Sequence, residues 1–234
     1  MPIFYPFHIC AFALIALFLT FTFPNWAEAQ PDYVKVSRKL SDGEFYRLVA
    51  CGAAPGGECQ QRPAKWPARD AMNLTVGITE IDPGFPKSSQ RKARAAVSIA
   101  IEEINATRAA LNLKLVTQGN PLVSITLVDT SQRPMVPPSG NWALDVERMS
   151  IGATHWTTRQ QGRISKCDIR ISSELDRGII RSIILEEMVQ CLGLSYDIWG
   201  KAYLHTSIFS DRSNRIIRLV KQDAVAIRMH YPAN

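Results

Sequence analysis

The sequence predicts an α+β domain in which helices lie on one sheet, and three observations carry that prediction. Short alternating stretches such as "NLTVGI" at 73–78 and "ISKCDIRIS" at 164–172 read as strands. Two longer segments, "SSQRKARAAVSIAIEEINAT" at 88–107 and "IILEEMVQCLGLSYDIWG" at 183–200, carry apolar residues at helical spacing. Along the chain the order is strand, helix, strands, strand, helix, which is the order expected of helices packed on a sheet.

Composition agrees with one medium-sized domain plus a short extension. Of the 234 residues 46% are hydrophobic and 21% are charged, too apolar a mixture for a disordered chain. The formal net charge of +6 makes the surface basic. No run of Lys or Arg interleaved with aromatics accompanies it, so nucleic acid is not an expected partner.

The first element is a leader. Ile9 to Phe23 is almost wholly apolar and is followed by Ala27-Glu28-Ala29, a small-x-small site, so residues 1–29 read as a signal peptide cut after Ala29. A periplasmic or secreted location follows. No Lys or Arg precedes the apolar run, which leaves an uncleaved anchor as the alternative and as the expected route to a membrane. Cys10 lacks the small residue before it that lipidation requires.

Residues 30–69 read as an N-terminal extension with a disulfide loop, and 70–234 as the main domain. Ser41 and Glu44 stand in capping-box spacing, and Phe45, Leu48 and Val49 recur on one side of the helix they open. That helix runs into "CGAAPGGEC", whose Gly and Pro residues let the chain reverse so that Cys51 and Cys59 can bond. In the main domain the helix at 88–107 has Ala93, Val97, Ala100, Ile101 and Ile104 on one stripe. "LKLVT" and "VSITLVD" follow as strands, then the Pro-rich loop "SQRPMVPPSGN", then the strand at 164–172. Cys167 on that strand and Cys191 on the next helix either pair or stay as two small buried thiols.

The stretch at 183–200 carries the chemistry. At about 100° per residue, Glu186, Gln190, Gly193 and Asp197 fall on one line, with Glu187 a quarter-turn away. Ile180, Ile184, Leu185, Met188, Val189 and Leu192 cover the other side. A polar stripe on an apolar helix is read in two ways, as a face turned to water or as a row of functional groups.

The register "L-E-E-M-V-Q-C-L-G-L-S-Y-D" resembles the H-E-x-x-H-x-x-G-x-x-H/D helix of metzincin-type zinc proteases. Glu186 stands at the first histidine, Glu187 at the catalytic Glu, Gln190 at the second histidine and Gly193 at the glycine. Tyr196 takes the third-ligand position, with Asp197 one residue beyond. "SIFSD" at 207–211 is similar to the turn beneath the metal, with Phe209 in place of its methionine, and "LVKQDAVAIRMHYP" at 219–232 to the closing helix. Together with "CGAAPGGEC" and "KWP", these motifs resemble a family of exported proteobacterial proteins of unknown function with an E-E-x-x-Q-x-x-G-L-x-x-D helix. The resemblance implies a zincin-like, metzincin-like fold with a mixed sheet, an active-site-type helix and a C-terminal helix. It also implies that the zinc ligands have been replaced.

The donor chemistry points the same way. Zinc prefers imidazole and thiolate, and carboxylates with a carboxamide are a poor set for it, so no zinc is expected. Oxygen donors suit Ca²⁺ or Mn²⁺, which makes Glu186, Gln190, Asp197 and Asp211 the alternative metal set. His155, His205 and His230 read as surface or packing residues. Two functions remain. A binding protein would keep a protease-like groove and edge strand for an extended peptide or cell-envelope ligand, using Glu187, Gln190, Tyr196 and Asp197. A zinc-independent hydrolase of peptide or glycan bonds would use Glu186 and Glu187 as a catalytic acid and base.

Overall fold

The computed structural model describes residues 33–131 and 152–233. The expected leader at 1–29 and nearly all of the Pro-rich loop at 131–141 lie outside the described residues. The elements are β1 (Tyr33–Lys35), α1 (Asp42–Cys51), α2 (Ala68–Ala71), β2 (Leu74–Ile81), α3 (Lys87–Asn105), β3 (Leu113–Leu115), β4 (Val123–Val128), β5 (Gly152–Arg159), β6 (Arg163–Ser172), α4 (Ile180–Gln190), β7 (Asp197–Trp199) and α5 (Gln222–His230).

Five strands form one mixed sheet in the order β3-β2-β4-β6-β5. The first four run parallel, and β5 closes one edge antiparallel to β6. The central strands alternate: Val123, Ile125 and Leu127 of β4 and Cys167, Ile169 and Ile171 of β6 are buried on one face, while Ser124 and Thr126 of β4 and Lys166, Asp168 and Arg170 of β6 carry the other. The edge strand β5 is different, half-buried over its first five residues and exposed over Thr157, Thr158 and Arg159. A second, two-stranded sheet pairs β1 with β7 in parallel. The architecture is therefore α+β with a mixed sheet and a C-terminal helix.

Helix α3 buries the expected stripe of Ala93, Val97, Ala100, Ile101 and Ile104 and packs on α4. Fully burying an aliphatic side chain of this kind stabilises the fold by roughly 1.5–3 kcal/mol. Helix α1 begins at the capping box, in which the Glu44 amide donates to the Ser41 hydroxyl and the Ser41 amide donates back to Glu44. It packs on α5 through the common core. Among the described residues no helix is long and apolar enough to cross a membrane.

Two disulfides staple the fold, as an oxidising compartment allows. Cys51 bonds Cys59 across the Gly/Pro loop with their Cα atoms 5.1 Å apart. Cys167 bonds Cys191 at 5.8 Å between Cα atoms, which joins β6 to the end of α4 and settles the open question about that pair.

Helix α4 is shorter than the sequence pattern suggests. It ends at Gln190, so Gly193 and Asp197 do not continue its polar line. The cause is a crossing chain. Gly193 adopts φ +94°, and a Cβ there would meet the Ala64 carbonyl oxygen at 2.0 Å. The carbonyls left over at the helix end are taken by side chains: the Trp66 indole N–H donates to Cys191 O at 2.8 Å, and the Tyr231 hydroxyl to Leu192 O at 2.7 Å. Trp66 is the tryptophan of the "KWP" motif, which thus fixes where α4 stops.

Candidate functional site

Glu187 lies on the buried side of α4, 6% exposed, beneath the edge strand. The Thr154 hydroxyl of β5 reaches its Oε2 at 2.6 Å and its main-chain carbonyl at 3.1 Å. One hydroxyl hydrogen serves one of these at a time. At Gly152, two residues earlier on β5, a Cβ would meet Glu187 Oε1 at 2.6 Å and Ile183 Cγ2 at 2.8 Å. Glycine there lets the strand backbone settle onto the helix. Burial pushes the Glu187 carboxyl up to about 7, against the pull of the Thr154 hydrogen bond.

Glu186 points elsewhere. It is half-buried, and its Oε2 has no hydrogen-bond partner among the described residues. Its carboxyl is held well above the ordinary range by burial first, and then by the negative charges of Asp197, Glu187 and Asp211. Asp197 and Asp211 come into that field through backbone pairing. Strand β7 carries Asp197, the Ile198 amide donates to Phe209 O at 2.6 Å, and the Asp211 amide donates to Ile198 O at 3.2 Å. Burial raises the Asp211 carboxyl too, while Arg212 opposes the rise.

The turn that presents Asp211 is pinned from α5. Buried Asp223 accepts from the Ser207 hydroxyl at 2.7 Å and from the Ile208 amide at 3.2 Å, and burial takes its carboxyl up to about 7. Phe209 is fully buried and meets Phe45 edge-on, at 5.8 Å between ring centroids. An aromatic ring therefore fills the floor that "SIFSD" forms.

The remaining expected site residues are more dispersed. Gln190 is half-buried in the last turn of α4. Tyr196 lays its ring on Gly52, where a Cβ would meet it at 2.6 Å, and its amide donates to Val49 O. It thus borders the Cys51–Cys59 loop. His155 is half-buried on β5 and His205 is exposed. His230 is buried with one ring nitrogen 3.3 Å from the Tyr46 hydroxyl and the other 2.9 Å from Ala64 O. Burial, with Lys65 nearby, lowers it to about 4, so it packs as a neutral ring. Among the described residues no group of three or more His, Cys, Asp or Glu is placed to hold a metal ion.

Thr154 and Asp223 were not legible as site residues. Each lies in an ordinary strand or helix sequence, and only the tertiary contact reveals its role. What the arrangement offers chemically is a pair of adjacent acids with raised affinity for protons, one propping an edge strand and the other facing two further carboxylates.

Residues 58–234 match the model of a family described as "Protein of unknown function (DUF2927)". No curated protein matches the chain.

Proposed function

The chain belongs to the DUF2927 family, and we propose that it is an exported, zincin-like protein that binds an extended peptide or similar cell-envelope chain along β5. One observation carries this reading. Among the described residues β5 pairs only with β6, so its other side is an open strand edge, and that edge is braced on α4 through Thr154 and Glu187. An extended chain adding to such an edge gains main-chain hydrogen bonds, while pockets beside it select side chains. Glu186 and Gln190, half-buried on the same helix, and Asp197 on β7 are the polar groups assigned to that selection. Glu187 enters as the prop of the strand. The mixed sheet with one antiparallel edge, the helix beneath that edge and the closing α5 support the zincin-like reading, and the two disulfides support export.

The test uses a library of fluorescent extended peptides, each with a counterpart N-methylated at alternate residues. Strand addition requires binding that N-methylation abolishes and that Glu186→Lys weakens at least tenfold. Equal binding of both peptide forms, or no binding across the library, would remove the reading.

A second reading rests on the raised proton affinities of Glu186 and Glu187. Two adjacent carboxyls that hold their protons more tightly than usual can serve as acid and base in the hydrolysis of a peptide or glycan bond. Turnover of a mixed peptide and cell-wall substrate pool, lost in Glu186→Gln, would favour it over binding alone.

A further inference from the structure

We infer that the cavity at the start of α4 is a binding site for a phosphate group, separate from the β5 edge and independent of the reading given for it. The cavity has a volume of about 490 Å³, and its walls include Ile179, His205, Arg212, Ser213, Asn214 and Arg215. None of the residues lining it is acidic.

Three features converge on an anion. First, Ile179 is the N-cap of the 11-residue helix α4, and no side chain among the described residues caps it. The amides of a first helical turn lack intrahelical acceptors, and with the helix dipole they favour a negative group. Second, the Ser213 residue is only 9% exposed, and its buried hydroxyl has no hydrogen-bond partner among the described residues. A buried hydroxyl without a partner costs free energy, and a ligand oxygen would satisfy it. Third, Arg212 and Arg215 line the cavity and form no ion pair among the described residues. Arg212 is held in place by its guanidinium, which lies 4.7 Å from the centre of the Trp199 ring. Two planar guanidinium forks with a hydroxyl and an uncapped helix start suit the tetrahedral oxygens of a phosphate better than a single carboxylate.

The segment holding these groups is tied to the helix it faces. The Ser182 hydroxyl of α4 donates to Ile216 O at 2.6 Å, and the Ser213 amide donates to Ser210 O at 3.2 Å. The backbone that carries these donors is therefore anchored before any ligand arrives, which limits the ordering cost of binding.

The experiment titrates the full chain with inorganic phosphate at constant ionic strength, and separately with vesicles of phosphatidylcholine with or without phosphatidylglycerol. The expected result is saturable binding of phosphate, of the anionic vesicles or of both, with the stronger arm identifying a free phosphate or a lipid headgroup. Ser213→Ala and Arg215→Ala should each weaken that binding about tenfold while leaving the melting temperature of the ligand-free protein within about two degrees. Absence of binding in both arms would overturn the proposal. So would binding that both variants retain, since that is the behaviour of a basic surface without a built site.

Discussion

The Thr154 hydroxyl on edge strand β5 lies 2.6 Å from Oε2 of Glu187 on α4, and this contact braces β5 on the helix. Removing the donor leaves a buried carboxyl without a partner, at a cost of about 1–3 kcal/mol. Thr154→Val should therefore destabilise by that amount in urea melts, and Glu187→Ala should destabilise as well. The double variant should fall short of the sum by about 1 kcal/mol, the sign of a direct coupling. Strict additivity would show that the two groups do not interact.

The buried acids set an unusual dependence on pH. Glu187 and Asp223 sit near 7 in the fold, above their ordinary values of 4.5 and 3.8, and Glu186 is also raised well above 4.5. An acid whose folded value is raised binds its proton more tightly in the native state. Its stabilisation is complete below the unfolded value and is lost as pH climbs through the folded one. His230 acts oppositely: lowered to about 4 from 6.5, it withdraws stability as pH falls through that window. One histidine against four raised acids, Asp211 included, leaves a net fall in stability from about pH 5 to pH 8, on the order of a few kcal/mol. Thermal melts should show the higher melting temperature at pH 5. Glu187→Gln, which mimics the protonated acid, should flatten part of the slope.

Much of the fold is legible in the sequence. The capping box at Ser41 and Glu44, the apolar stripe of α3 and the Gly/Pro loop between Cys51 and Cys59 are local patterns, and each formed as read. The three-residue strands β1 and β7 were not legible, because strands so short carry no periodicity and exist through pairing with each other. The end of α4 at Gln190 is not legible for a related reason. Nothing within 183–200 announces that Ala64 crosses over Gly193 or that Trp66 and Tyr231 take the final carbonyls. At the candidate site, Glu186, Glu187, Asp197 and Asp211 could be listed from sequence. Which acid turns inward to Thr154 and which faces the others depends on the packing of β5 and β7.

The disulfides should differ in weight. The Cys51–Cys59 bond closes a separation of 8 residues and the Cys167–Cys191 bond one of 24, which joins the sheet to α4. Loop closure of these sizes stabilises by roughly 2–3 and 3–4 kcal/mol respectively. Paired Cys→Ser variants should show the larger loss for Cys167 and Cys191. Peptide mapping of the oxidised protein should recover both bonded pairs and no others.

Metal content follows from the donor set. Carboxylates and a carboxamide at Glu186 and Gln190 are a poor site for zinc. The purified protein is expected to hold no stoichiometric zinc, and chelation should leave its melting temperature unchanged. About one zinc per chain, retained through dialysis and lost together with stability on chelation, would contradict this. Calcium or manganese at that ratio would point to Glu186, Gln190, Asp197 and Asp211 as an oxygen-donor site.

The most direct measurement is amide hydrogen exchange with and without a peptide that the library selects. Strand addition should protect amides of Gly152 to Arg159 on β5, with smaller changes at the exposed groups of α4 and with the peptide recovered intact. Protection confined to other elements, with β5 exchanging at its free rate, would contradict binding along the edge strand.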